Sequence, residues 1–442
     1  MCWDVRPATG SDSNGGGFDP GVSVPGTDYS QQTSPQVTFT DLVIGATTTQ
    51  LTSVLNPFTS AHVGNVINIT SGTGFTVQRL EILSVSGVTA TCDKSAGTTA
   101  STGGHGKLGG SLATVSQAVT LAIASNSIYL LGTYTVTSAQ AISLVSAGLP
   151  TYVIGYSSTH GDGGQATWTT ATNSVHLINP SGANGLNFVN IRFTNTAGTP
   201  LDAIHPTTSN ASHLSFVNCY FSGFRYAING NYSVDYGIVN LLIDSCEITA
   251  CTTDGIISSG GITVLASYIH GNTGFGINQG TATQCAPVNL TILNSVIKSN
   301  SGTAGVSGNG TASPYIPIVI VNCAFINNTG DGLRMAGNGN GQILLLWNCI
   351  IDSNGGYGVR YSIGSSTFFW GPSFRNNAYG SGSTANTSGD MGGSPAPVKD
   401  ASDVVLTADP FTSRSTGDFS LNSTAGGGAA CKGAGYPTII PG

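Results

Sequence analysis

Apolar and polar positions alternate along this chain in short runs, and from Leu186 to Tyr379 those runs recur in a fixed order. In one such unit, the run Ile318–Val321 meets the small pair Asn322–Cys323. A large apolar residue follows at Phe325, then a Gly- and Asn-rich turn, then a last apolar position at Leu333. Period-2 alternation predicts half-buried strands, and the repeat has no 3.6-residue period that would predict helices.

Aligned on the small pair, the column Ile191, Cys219, Cys246, Ser267, Ser295, Cys323, Cys349 advances by 28, 27, 21, 28, 28 and 26 residues. The position before it reads Asn190, Asn218, Ser245, Ala266, Asn294, Asn322, Asn348, and the position two after it reads Phe193, Phe221, Ile248, Ile269, Ile297, Phe325, Ile351. A second asparagine column follows at Asn272, Asn300, Asn328 and Asn354, then apolar Ile277, Val306, Leu333 and Val359. This period with short strands predicts a solenoid with one coil per repeat, in which equivalent residues stack about 4.8 Å apart. The leucine spacing of leucine-rich repeats is absent. The cysteines read as inward-facing thiols touching like residues above and below. The second column's asparagines read as turn residues that adopt the left-handed conformation and bond amide to amide between coils.

The pattern over Leu186–Tyr379 resembles the right-handed parallel β-helix family, and the resemblance implies an all-β, right-handed parallel β-helix. That family hosts pectate lyases, pectinases, phage tailspikes and non-catalytic virion proteins, so the likeness alone selects no activity. The opening WDVRPATGSDSNGGGF is similar to the family's first strand and GSDxNxG-type turn. Four regions are expected: residues 1–25 as that first strand and turn, 26–108 as an inserted small β-barrel or sandwich, 109–380 as the β-helix, and 381–442 as a linker and capping segment. Leu112, Val115 and Val119 follow helical spacing and predict a short capping helix over Leu112–Ala124. The stretch PFTSAHVGNVINI resembles a module of phage structural proteins. The closing DVVLTADPFTSRSTGDFSLNSTAGGGAACKGAGYP resembles the last segment of phage and environmental β-helix proteins, which packs along the solenoid and covers its end.

Composition narrows the classes further. Gly is 62 of 442 residues and only 7% are charged, against roughly 25% in an average soluble protein. The 13 Lys and Arg are scattered, which argues against a nucleic-acid partner. No apolar run is long enough to span a membrane. The stretch MCWDVRPATG has no apolar leader core and no cleavage site, so the expectation is a chain that is not exported or whose signal was removed. The nine cysteines fit no zinc spacing.

A lyase or hydrolase on this scaffold needs charged groups grouped on one outer face, with two or three carboxylates for a hydrolase. Asp254 and Asp331 fall three coils apart, about 14 Å, too far to share a site. Asp244 reads as a lone surface charge. The candidate cluster is Asp331, Arg334, Asp352 and Arg360. Arg334 and Arg360 are equivalent on adjacent coils, and Asp352 falls on a column with His270, Lys298 and Ile326. Its functional reading is binding or cleavage of an anionic glycan; its bland reading is a few solvated charges near a turn. His62, His105, His160, His176, His205, His213 and His270 show no ligand spacing and read as turn or surface residues rather than ligands. No metal and no cofactor is expected. GDGG at Gly161 and GNGNG at Gly337 read as turns. The N-x-S/T triplets at Asn289 and Asn386 are what an Asn-, Ser- and Thr-rich chain produces by chance. Trp347, Trp370, Tyr357 and Phe369 read mostly as packing residues.

Reduced thiols, a low-charge polar surface and no export signal are together reconciled by a virus particle. It is assembled in a reducing cytosol and works outside. The expectation is therefore a non-catalytic bacteriophage virion protein, a decoration protein or fibre, with other capsid or tail proteins as partners. Trimeric self-association and host-surface glycan binding are also expected. Two alternatives stand beside it: a tailspike-like polysaccharide depolymerase, and a bacterial surface adhesin.

Overall fold

The computed structural model describes residues 1–141, 150–230, 237–258, 260–279, 289–309, 316–337, 342–363, 372–394, 396–432 and 434–435. They form two compact units. The first holds Met1–Thr135 and two later stretches ending at Arg192; the second holds Phe193–Gly442 and two earlier stretches beginning at Val136. Both are built on parallel β-coils, and the chain is a parallel β-solenoid carrying a closed antiparallel barrel.

In the first unit the barrel is formed by Val37–Ile44, Gln50–Thr52, Val66–Ser71, Gln78–Ser86, Thr89–Cys92 and Thr102–Leu108. Leu108 pairs with Val37 on one side and Ile67 on the other, which closes the sheet on itself. Alternating residues turn inward, so Phe39, Leu42, Phe58, Ile67, Ile69, Leu80 and Ile82 fill the barrel. Closure leaves no unpaired edge, which decides between the barrel and the sandwich that the sequence left open. The first coil strands, Cys2–Val5, Ser127–Leu131, Thr151–Tyr156 and Leu186–Val189, run parallel in register.

The helix of this unit is shorter than its spacing predicts, covering Val115–Leu121. Asp12 decides where it starts: its carboxylate accepts from the Ala113 and Thr114 amides and from the Thr114 hydroxyl. Thr114 then caps the helix, its side chain accepting from the Gln117 amide. Leu112 stays extended and bridges Val5.

In the second unit each coil contributes to three parallel sheets. The columns read from the sequence are the observed register. Phe221, Ile248, Ile269, Ile297, Phe325 and Ile351 are successive partners in the second sheet. Ile256, Ile277, Val306, Leu333 and Val359 are successive partners in the third. All of these side chains are buried. Each is worth roughly 1.5–3 kcal/mol of transfer free energy, an upper estimate against a compact unfolded chain.

The two asparagine columns divide the work differently from expectation. The left-handed residues are those before the thiol column: Asn218, Ser245, Ala266, Asn294, Asn322 and Asn348 have φ between 44° and 56°. They turn the chain from the first sheet into the second. At the next corner the left-handed residue is again the one before the column, at Ser299, Asn327 and Ser353. Asn272, Asn300, Asn328, Asn354 and Asn386 themselves are buried and form a continuous ladder. Each amide nitrogen donates to the next carboxamide oxygen, at 2.9, 3.1, 3.0 and 2.9 Å.

Candidate functional site

The third sheet contains a recurring polar device. Two residues before the buried apolar position, successive coils carry Asp202, Tyr226, Asp254, Phe275, Ala304, Asp331 and Tyr357. One residue after that position they carry Asn229, Ile257, Asn278, Ser307, Arg334 and Arg360. Each aspartate of the first column reaches a side chain of the second column one coil on. Asp202 accepts from Asn229 Nδ2 at 2.9 Å, Asp254 accepts from Asn278 Nδ2 at 2.9 Å, and Asp331 Oδ2 lies 2.9 Å from Arg360 Nε. The other oxygen of Asp254 and of Asp331 takes a backbone amide, from Phe275 and Tyr357 respectively, each at 2.8 Å.

These clips also explain two glycines. A Cβ at Gly274 would stand 2.1 Å from Asp254 Oδ1, and a Cβ at Gly356 would stand 2.3 Å from Asp331 Oδ1. The carboxylate fits only because the residue beside it on the next coil has no side chain.

Three of the four residues singled out from the sequence come together here. Asp331 is buried and paired with Arg360, and Arg334 is the strand neighbour of Arg360. Arg360 Nε is off the hydrogen-bond direction despite its 2.9 Å distance, so the contact is an ion pair. The Arg360 guanidinium lies over the Tyr357 ring, 4.9 Å from its centroid. Arg334 reaches the Thr303 hydroxyl at 3.3 Å in an exposed setting. Burial raises the Asp331 carboxyl above the usual range, and the Tyr357 amide with Arg360 and Arg334 offsets only part of that.

Asp352 does not join them. It lies in the second sheet, on the column His270, Lys298, Ile326, Asp352 that the sequence indicated. It is fully buried because Arg414, from the closing segment, grips it with both terminal nitrogens, at 3.0 and 2.9 Å. Arg414 also holds Asp409 at 2.6 Å. The reading of Asp331 and Asp352 as solvated charges is therefore corrected: neither carboxylate faces solvent.

Sequence reasoning missed Arg414, because nothing local marks a residue 62 positions away as the partner of Asp352. The spacing of Asp254 to Asn278 and Asp331 to Arg360, a donor three residues after the equivalent position one coil on, was present in the alignment and would have revealed the clips. His105 and His213 are exposed, as expected of surface residues. His62 is buried, and His176 and His205 lie half-buried beside Asp202, contrary to that expectation. Trp370 and Phe369 lie outside the described residues, as does most of GNGNG. Asn386 ends the buried ladder, so its N-x-S/T triplet is not on an open surface.

A groove of about 500 Å³ runs along the first corner of the same unit. The stacked Asn294, Asn322 and Asn348 form one wall, and Phe411, Phe419 and Leu421 of the closing segment form the other. Its lining among the described residues contains no charged side chain.

No family model and no curated protein matches the chain. Among solved structures it is similar to the A-module of the Azotobacter vinelandii mannuronan C-5 epimerase AlgE4, at 14% identity and a TM-score of 0.43, over 66% of this chain and 76% of that one. It is also similar to the pectate lyase Pel9A, at 14% and 0.39 over 71% and 85% of the two chains. A third is the Agl-KA catalytic domain, at 13% and 0.43 over 86% and 79%.

Proposed function

We propose that this chain is a non-catalytic β-helix component of a bacteriophage particle, a decoration protein or fibre that offers its surface to a host glycan. The observation that carries the non-catalytic part is the clip. Asp331 and Arg360 occupy the same positions as Asp254 and Asn278, and as Asp202 and Asn229, and make the same coil-to-coil contact. A carboxylate that holds two coils together, beside an arginine interchangeable with asparagine, is an architectural group. Asp352 is likewise committed to Arg414. The uncharged groove supports binding without cleavage: the exposed amides of Asn294 and Asn322, with the half-buried Phe419 ring in the same lining, suit neutral sugar hydroxyls and a ring face. Cys2, Cys92, Cys246, Cys251, Cys323, Cys349 and Cys431 are free thiols, which supports assembly in a reducing compartment before action outside. Self-association as a trimer and contact with other capsid or tail proteins belong to the same proposal.

One observation favours a second reading, a polysaccharide depolymerase. Arg334 and Arg360 stand side by side with the Tyr357 ring, an arrangement able to hold a uronate. Incubation with host capsular and pectic polysaccharides separates the two. The proposal expects no new reducing ends and no unsaturated uronates; their appearance, and their loss in Arg360→Asn, establishes the depolymerase. Mass spectrometry of purified virions tests the particle role, and absence of the chain from them refutes it.

A further inference from the structure

One pair in the clip relation sets two imidazoles against each other. His176 stands on the aspartate column one coil before Asp202, and His205 stands on the donor column one coil after His176. They are to each other as Asp254 is to Asn278. Two imidazoles stand in these places, and their rings stack at 4.3 Å with an interplanar angle of 16°. Neither Nδ1 has a hydrogen-bond partner although both atoms are buried. Both lie 3.4 Å from the same atom, Asp202 Oδ2.

We propose that His176, Asp202 and His205 bind a divalent transition-metal ion of the zinc class, and that the ion is the clip between these two coils. The distances fit. Ligands about 2.1 Å from a tetrahedral ion are separated by ~3.4 Å along each edge of the tetrahedron. The two edges from Asp202 Oδ2 to the imidazoles have that length. The ligand atoms of all three residues lie within 4.8 Å of one another. Two imidazoles and one carboxylate suit zinc, cobalt or nickel and not calcium or magnesium, which take oxygen ligands.

The surrounding groups hold the carboxylate in place. Arg225 donates to Asp202 through Nε to Oδ1 and through Nη2 to Oδ2, both at 2.8 Å, and fixes its plane as outer-shell partners of metal ligands do. Asn229 Nδ2 occupies Oδ2 at 2.9 Å, so an ion arriving at that oxygen displaces this bond. Three protein ligands leave a fourth position for water. His176 joins the local pair Asp202 and His205 only through coil geometry, so no ligand motif marks the three together in the sequence.

The test uses the full chain without a histidine tag, stripped with chelator and dialysed against zinc. One zinc per chain by elemental analysis is expected, with a rise in melting temperature that chelator reverses. His176→Gln and His205→Gln are each expected to lose the ion and the rise, while His213→Ala keeps both. Cobalt substitution reads the donor set: d–d bands without thiolate charge transfer are expected, whereas strong thiolate bands would assign the ion to a cysteine and overturn the site. Absence of stoichiometric zinc in the wild type, or unchanged binding in both glutamine variants, also overturns it. Circular dichroism confirms that the variants are folded, and Asn229→Ala, which removes the displaced bond without removing a ligand, is expected to retain the ion.

Discussion

At the scale of single residues, the thiol column acts as a hydrogen-bonding spacer. Cys323 Sγ donates to the carbonyl of Val321 at 3.2 Å, two residues back, and Ser267 and Ser295 do the same with their hydroxyls at 2.6 and 2.8 Å. Serine therefore already fills this position in two coils. Cys323→Ser is expected to change stability by less than about 1 kcal/mol, measured by urea unfolding; a loss well above that would mean the thiol packs in a way the hydroxyl cannot. Glu81, in the first unit, behaves in the opposite sense. Burial first, and then the neighbouring Asp19 and Asp93, push its carboxyl up to about 7 from 4.5. The folded chain thus keeps a proton that the unfolded chain has released. That stabilisation is complete below the unfolded value, and is lost as pH rises through about 7. Glu81→Gln should flatten the fall in melting temperature between about pH 5 and about pH 8, by an amount of about 1 kcal/mol, because the group is half-buried and solvent screens part of the effect. An unchanged slope would place the titration elsewhere.

At the scale of elements, what aligns one coil on the next is polar and what fills the coil is apolar. The inward columns of Ile, Val, Leu and Phe forbid a slip by one residue, which would turn them outward, but discriminate less against a slip by two. The asparagine ladder tolerates neither. Asn328 accepts from the Asn300 amide nitrogen and backbone N–H, both at 3.1 Å, and donates to Asn354 at 3.0 Å and to the Ile297 carbonyl at 3.2 Å. Asn328→Ala leaves several of these buried groups unmet, each costing about 1–3 kcal/mol, so a loss of about 3 kcal/mol or more is expected in thermal or urea unfolding. A loss near that of a surface Asn→Ala would mean that water enters and replaces the ladder. The same logic shows why the second column's asparagines are not the left-handed residues. An amide committed to the coil above and the carbonyl below needs a side chain pointing inward, and the sharp change of direction falls on the residue before it.

At the scale of the whole second unit, the closing segment is fastened by a charge. Phe411 and the half-buried Phe419 pack on Ala324, Ile326 and Val296, and Lys298 Nζ donates to the Arg414 carbonyl at 2.6 Å. Arg414 and Asp352 are the centre of this contact. Arg414→Gln leaves a buried carboxylate without its counter-charge, and a loss of about 3–5 kcal/mol is expected. Limited proteolysis should then cut within residues 409–421 while the coils stay intact. The double change Asp352→Leu with Arg414→Leu should recover much of the loss, since the charge that needed a partner is gone. If the single variant resists protease as the wild type does, the apolar contacts alone hold the segment.

The sequence by itself determined the coil: its period, its inward columns and the neighbours of Arg334 and Arg360. It could do so because a parallel solenoid converts a fixed sequence interval into a fixed spatial one, so that alignment of repeats is a contact map. It also announced an inserted β-domain, whose closure into a barrel needed the pairing of Leu108 with both Val37 and Ile67. Tertiary structure alone decided the partners outside the period. Asp352 meets Arg414 because the chain doubles back over its own second sheet, and no interval in the repeat encodes that return. Asp331 is buried, and not solvated, because a neighbouring coil supplies an amide and a guanidinium together. His176 faces Asp202 and His205 from the neighbouring coil, a relation between columns rather than between neighbours in sequence, which only the register makes visible.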